Sequence, residues 1–164
     1  MSDPLAPPHL LIVWHSRTGA SAAMAKAAAA GAANTRLLRA DAVTPEALRA
    51  AAGYLFVCPE NLAGLTGLMK EMFDTTYYAM LGQIEGRAYA TIIAAGSDGE
   101  GAQRQLDRIV TGWRLRRVAP PLIVNFAAQS PAAIAAPKHV PDKILKQCKE
   151  IGAALAEGLS QGVF

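Results

Sequence analysis

Short runs of unbroken apolar residues, each followed by a stretch of helical character, constrain this chain more than any other feature. Leu10–Trp14 and Tyr54–Cys58 are apolar throughout and too short for buried helices. Such runs mark strands buried on both faces of a sheet. Ala88–Ala95 and Leu122–Phe126 read as further strands, and Arg36–Arg39 as a short, weak one. Alanine dominates Gly19–Ala33, which favours a helix. Thr44-Pro45-Glu46 offers a capping hydroxyl followed by proline at the first helical position, and Gly53 ends that short helix. Leu65, Leu68, Met69, Met72, Phe73, Thr76, Tyr77 and Met80 recur at helical spacing, so Thr66 to Met80 is an amphipathic helix. Ala102, Leu106, Ile109, Val110 and Trp113 mark another. A last helix begins near Pro141 and carries Ile144, Cys148, Ile151, Leu155 and Leu159 on one stripe.

Strict alternation of five strands and five helices predicts an α/β fold, a doubly wound parallel sheet with helices on both faces. The expected strand order is 2-1-3-4-5, with a ligand crevice at the carboxyl ends of strands 1 and 3. Pro120 and Pro121 suit an edge position for the fifth strand. A chain of 164 residues fits a single domain, 1–164. Ala127 to Val140 shows no clear period and reads as a long connection, either a flap or a partner-binding segment.

In that order the loops after strands 1, 3 and 4 share one rim of the sheet. They are His15–Ser21, Pro59–Gly64 and Gly96–Gly101, all rich in Gly, Pro, Asn or hydroxyl residues. The first of them links a strand to a helix. A helix start offers unpaired N–H groups and a positive dipole end, both suited to an anion. Ser16, Thr18 and Ser21 add hydroxyl donors, and Gly19 lets backbone approach a ligand closely. On the residues alone, this is a phosphate cradle whose ligand is open.

Ser16-Arg17-Thr18-Gly19-Ala20-Ser21 resembles the flavodoxin phosphate loop, a Ser/Thr-x-Thr-Gly-x-Ser/Thr pattern. Cys58-Pro59-Glu60-Asn61-Leu62-Ala63-Gly64, with Leu68-Met69-Lys70 and Phe73-Asp74 behind it, is similar to the second flavin loop and helix of the flavodoxin-like NAD(P)H-dependent FMN reductases. The resemblance runs from about Leu10 to Phe126 and implies a flavodoxin-like fold with an FMN site. The phosphate would lie on Ser16, Arg17, Thr18, Gly19, Ala20 and Ser21. The isoalloxazine edge would meet Pro59, Glu60, Asn61, Leu62 and Ala63 on one side and Gly96, Ser97, Asp98, Gly99 and Gly101 on the other. Flavodoxins commonly stack an aromatic on the flavin; Leu62 stands in that place here, which implies an open face where a nicotinamide or another acceptor could stack. The implied activity is an oxidoreductase that takes hydride from NADPH or NADH and passes electrons to a small-molecule acceptor, a quinone or free flavin. The cofactor supplies the chemistry, so no catalytic residue is assigned. A non-enzymatic electron carrier and a flavin-binding scaffold or sensor are the alternatives.

Charge and motif tests narrow the field. The sequence pI is ≈ 9.0, whereas flavodoxin carriers are as a family strongly acidic, which favours the reductase. No lysine follows Gly19 as an ATPase loop requires. His15-Ser16 stands where a response regulator would carry its acidic pair. Cys58 has Gly64, not arginine, six positions on, which excludes a small tyrosine phosphatase. The glycines of Gly96–Gly101 do not form a dinucleotide fingerprint. Arg114, Arg116 and Arg117 form a basic cluster without aromatic interleaving, read as a solvated face, so no nucleic-acid partner is expected. No apolar run reaches membrane-spanning length and no secretory leader is visible, so a cytoplasmic protein with no membrane partner is expected. Two cysteines, Cys58 and Cys148, are too few for a disulfide framework or a zinc site, and no metal is assigned. The resemblance admits a homo-oligomer, a dimer or tetramer, and the alanine-rich first helix would allow tight helix packing.

Several residues keep two readings. His15 is either an oriented loop histidine or a phosphate contact. Cys58 reads as a buried, inert thiol with a redox centre as its alternative, Cys148 as a core thiol, and Trp14 and Trp113 as core. Tyr77 falls on the apolar stripe and Tyr78 on the surface or a pocket rim, with contact to the flavin or substrate as the second reading for either. Asp98 and Glu100 are either turn residues or neighbours of the flavin pyrimidine ring.

Overall fold

The computed structural model describes residues 7–164. In chain order it comprises β1 (Leu10–Trp14), α1 (Ala20–Gly31), β2 (Thr35–Arg39), α2 (Pro45–Ala50), β3 (Gly53–Asn61), β4 (Gly64–Leu65), α3 (Gly67–Met80), β5 (Ala88–Ala95), α4 (Glu100–Gly112), β6 (Arg116–Arg117), β7 (Leu122–Asn125), α5 (Pro131–Ala135) and α6 (Asp142–Ser160). The sheet runs β2-β1-β3-β5 with all pairs parallel, and β6 and β7 both add to the free edge of β5. This is the expected doubly wound order, with the edge strand broken in two. The break has a simple cause. β6 pairs Arg117 with Tyr89 and β7 pairs Leu122 with Ile92, and between them stand Pro120 and Pro121, which have no N–H to give a ladder.

Alternating side chains of the central strands feed two cores, as the twofold period of a strand requires. Leu11, Val13, Tyr54, Phe56 and Cys58 face α3 and α4, where they meet Met69, Phe73, Leu106, Val110 and Trp113. Phe56, Phe73 and Trp113 form a chain of tilted rings with centroids 5.3 and 5.4 Å apart. Leu10, Ile12, Leu55, Val57 and Ile92 face the opposite side, against Met24, Ala25 and Ala28 of α1 and Cys148 and Leu155 of α6. The alanine face of α1 is taken up inside the molecule. A Cβ on Gly152 of α6 would lie 2.1 Å from Ala28 O, and one on Gly31 of α1 would lie 2.2 Å from Lys149 O. The two helices therefore touch backbone to backbone.

Three features depart from expectation. β3 does not stop at Cys58 but continues to Asn61, because Asn61 and Glu60 pair antiparallel with Gly64 and Leu65 in a two-residue hairpin. Leu62 and Ala63 form its tip with φ of 53° and 63°, the doubly left-handed geometry of a type I′ turn, which normally carries Asn-Gly. The connection read as irregular contains α5, begun by Ser130 capping Ala133 N at 3.1 Å with Pro131 in the first turn. Arg117 is not part of a solvated face. Its guanidinium is ion-paired to Asp107 and lies 5.1 Å over the Tyr89 ring, so the edge strand is fastened to α4 through side chains as well as through its ladder.

Candidate functional site

At the carboxyl end of the sheet, where the chain leaves β1 for β2 on one side and β3 for β5 on the other, an open cleft of about 260 Å³ is lined by Ser16, Arg17, Thr18, Ala20, Ser21, Pro59, Glu60, Asn61, Ala94, Ala95, Gly96, Phe126, Ala128, Ile134 and Lys138. A parallel sheet places ligands at this switch point because neighbouring loops diverge there. The three predicted loops do converge on it.

Two helices begin at this rim in the same backbone conformation. Gly19 before α1 has φ 98° and ψ −19°, and Gly99 before α4 has φ 95° and ψ −19°. Their electrostatic situations are opposite. The carboxylate of Glu60 reaches across from β3 and accepts from Gly99 N at 2.9 Å and Ala102 N at 3.1 Å, and Glu100 adds a second acid to the first turn of α4. The positive end of α4 is thereby neutralised from within. Helix α1 has no side-chain cap and no acid in its first turn. Its first backbone bond is Ala23 N to Gly19 O at 3.0 Å, which leaves the amides of Ala20, Ser21 and Ala22 ahead of the ladder. Ser21 Oγ is fully buried, lines the cleft, and has no hydrogen-bond partner. An orphaned buried hydroxyl is costly unless a ligand or water answers it. The start of α1 is therefore open to an anion in a way that the start of α4 is not. That is what a phosphate group of FMN would need, with the Arg17 side chain adding charge at the mouth.

The cleft is braced from below by His15. Its Nδ1 shares a 2.9 Å hydrogen bond with Thr66 Oγ1, the hydroxyl that also caps α3 by accepting from Met69 N. Burial first, then the guanidinium groups of Arg17 and Arg39, hold the His15 imidazole below its usual pKa against the pull of Asp41. His15 is thus the oriented loop histidine of the two readings, and it does not line the cleft.

Of the other residues singled out from sequence, Ser16, Arg17, Thr18, Ala20, Ser21, Pro59, Glu60, Asn61 and Gly96 line the cleft, whereas Gly19, Leu62, Ala63, Ser97, Asp98, Gly99 and Gly101 stand behind or beside it. Gly19 sets the left-handed turn and gives its N–H to Ser16 Oγ at 3.0 Å. Gly101 lets the hairpin lie against α4, since a Cβ there would meet Ala63 O at 2.2 Å. Leu62 is fully exposed at the hairpin tip and covers nothing. Asp98 accepts from Glu100 N at 3.4 Å, a turn contact. Tyr77 stacks on Trp113 at 5.9 Å, Tyr78 projects into solvent, and neither lines the cleft. Burial pushes the Cys58 thiol up to about 12 and the Cys148 thiol to about 11, as inert core groups require. Ala94 and Ala95 at the end of β5, and Phe126, Ala128, Ile134 and Lys138, were not anticipated. The Ser130-Pro131 pair, the same cap signal as Thr44-Pro45, could have revealed α5, which carries Ile134.

Among the described residues no helix is long and apolar enough to cross a membrane, and no group of three or more His, Cys, Asp or Glu gathers to hold a metal.

Comparison with known proteins agrees with this geometry. Solved structures of the same architecture include a WrbA-like flavodoxin from Agrobacterium tumefaciens (TM-score 0.76, 17% identity, 94% of this chain and 98% of that one). An archaeal flavodoxin has TM-score 0.73, 18% identity, and coverage of 92% of this chain and 98% of its own. A flavone reductase has TM-score 0.72 and 16% identity, over 94% of this chain and 64% of its own. These define a flavodoxin-like α/β protein. The family model for NADPH-dependent FMN reductase matches residues 41–129, and the chain belongs to that family of FMN-binding oxidoreductases. No curated protein matches the sequence.

Proposed function

We propose that this protein is an FMN-dependent reductase that accepts hydride from NADPH or NADH and reduces a small-molecule acceptor such as a quinone or free flavin. The observation that carries the site is the uncapped start of α1 with the buried, unanswered hydroxyl of Ser21 in its first turn. Ser16, Thr18 and Ser21 would hold the phosphate with the amides of Ala20 to Ala22. Pro59, Asn61, Ala94, Ala95 and Gly96 would form the bed for the ring system. Bound FMN supplies the redox chemistry, moving a hydride or single electrons between donor and acceptor. The protein's own share is to bind, orient and shield. Glu60 acts indirectly, because its carboxylate is committed to α4 and so fixes the second loop against the third.

Access favours a reductase. With Leu62 turned fully into solvent, no side chain of the hairpin tip closes the cleft edge, and a second planar molecule can approach. The likeness to an archaeal flavodoxin along nearly its whole length supports a second reading, an electron carrier. The two separate in one experiment. FMN is added to the purified protein, bound flavin is followed by its visible spectrum, and NADPH or NADH is then added without oxygen. Bleaching by either nucleotide supports the reductase; flavin reduced only by a partner reductase supports the carrier. The S21A variant should bind FMN more weakly by roughly tenfold, the cost of one hydrogen bond to a charged group. Full FMN affinity in S21A would remove the phosphate from this position, and no uptake of FMN by the unaltered protein would end the proposal.

A further inference from the structure

The segment between β7 and α6 supplies a further wall of the cleft, bonded to the first and third loops. Phe126, Ala128, Ile134 and Lys138 come from it, and all four line the cleft beside the phosphate loop. It is fastened at both ends. Ala128 N donates to Gly96 O and Lys138 N donates to Thr18 O, each at 2.8 Å. The second bond ties the Lys138 backbone to the phosphate loop itself. Lys138 Nζ donates to Ile134 O at 3.0 Å and to Ala136 O at 2.6 Å, at the end of α5. An ammonium has three N–H donors, so this fastening uses two and leaves one.

Resting on the FMN reading above, we propose that Lys138 is a phosphate ligand: its remaining N–H is a charge-assisted donor to the phosphate monoester held at α1, and segment 127–140 is the clasp that presents it. Three observations meet here. Ser21 Oγ is buried, unpartnered and faces the same cleft. The start of α1 carries no acid to repel a phosphate. A monoester carries nearly two negative charges at neutral pH, and Arg17 and Lys138 are the two cationic residues lining the cleft. The clasp thereby selects for a terminal phosphate: it favours FMN over riboflavin, which lacks the group, and over FAD, whose diphosphate continues into an adenosine that the clasp must accommodate.

The competing account is that Lys138 merely ends α5. Then its loss would loosen Phe126, Ala128 and Ile134 together and weaken every flavin alike. The test measures dissociation constants of FMN, riboflavin and FAD by fluorescence quenching for the unaltered protein, K138M and K138R. We expect K138M to bind FMN about tenfold more weakly, riboflavin to change by less than about twofold, and K138R to recover most of the loss. FMN and riboflavin weakened equally, or FMN unaffected in K138M, would overturn the Lys138 assignment while leaving the FMN reading standing. Unaltered protein that binds no FMN would overturn both.

Discussion

Gly19 and Gly99 form a matched pair that separates two costs usually measured together. Both sit at helix starts with nearly the same left-handed backbone, φ 98° and 95°. An alanine at either place takes on the penalty of that conformation, about 1–2 kcal/mol. At position 19 an added Cβ has nothing within 4 Å. At position 99 it would lie 2.4 Å from Ile123 Cγ2 and 3.1 Å from Ala95 Cβ, and overpacking of this kind adds ~1–3 kcal/mol. G19A should therefore cost about 1–2 kcal/mol and G99A about 2–5 kcal/mol. At roughly 2–4 °C per kcal/mol for a chain of this size, the difference is visible by thermal melting. Urea unfolding of flavin-free protein is the better assay, because bound ligand would shift both values by mass action. Adding I123A to G99A makes room for the new methyl and should recover part of the loss, a coupling read from the double-mutant cycle. Equal losses in G19A and G99A, or no coupling to I123A, would refute the steric argument.

Two further perturbations follow from the same structure. Leu62 and Ala63 occupy a hairpin tip with φ of 53° and 63°. A63G should stabilise the flavin-free protein by ~0.5–1 kcal/mol in urea unfolding, since glycine adopts this region without strain; a neutral or destabilising result would count against a strained tip. Cys58 gives an alkaline limit: an unfolded thiol ionises near 9.0 while the buried one holds its proton to about 12. The unfolded state therefore binds fewer protons above pH 9, and stability falls as pH rises from there until the folded thiol also ionises. The loss through Cys58 alone is ~1.4 kcal/mol by about pH 10. Urea midpoints for C58A and the unaltered protein, compared at neutral and alkaline pH, check this; parallel pH curves for the two would contradict it.

What could be read in the chain without its structure follows from where local signals are self-sufficient. Buried parallel strands announce themselves as apolar runs, so Leu10–Trp14 and Ala88–Ala95 have the same limits in sequence and structure. Helix starts were legible where a hydroxyl cap precedes proline, as at Thr44. The hairpin was not legible, because Leu62-Ala63 lacks the glycine and asparagine that betray a type I′ turn, and its geometry is held by long-range partners. Leu65 N donates to Gln105 Oε1 at 2.7 Å, and Gly101 admits the backbone of Ala63. The role of Glu60 was hidden for the same reason. A carboxylate beside a flavin loop reads as a ligand contact, and nothing local reveals that it caps a helix some forty residues on. The 127–140 segment reads from sequence as a flap or a partner-binding connection, but which residues there wall the cleft was not legible, because Phe126, Ala128, Ile134 and Lys138 are brought there by bonds to the distant Gly96 and Thr18.

Those long-range partners are not scattered. From the phosphate loop, His15 bonds to Thr66, which caps α3 just beyond the hairpin. Within the hairpin, Glu60 bonds to Gly99 and Ala102 of the third loop and α4. The third loop is bonded in turn to the end of β7 and the segment after it, by Asn125 Nδ2 to Ser97 O at 2.7 Å and Ala128 N to Gly96 O at 2.8 Å. That segment returns to the start, by Lys138 N to Thr18 O. The hydrogen bonds thus run around the cleft and close on themselves. Sites built on loops are ordinarily less precise than sites built on strands and helices, and need a supporting shell to hold geometry. Here each loop is held by its neighbour on both sides, so no single loop can open without breaking two contacts. Ser21 Oγ and the first amides of α1, which stand inside the ring, are therefore held in place before any ligand arrives, and an anion bound there would not have to assemble them.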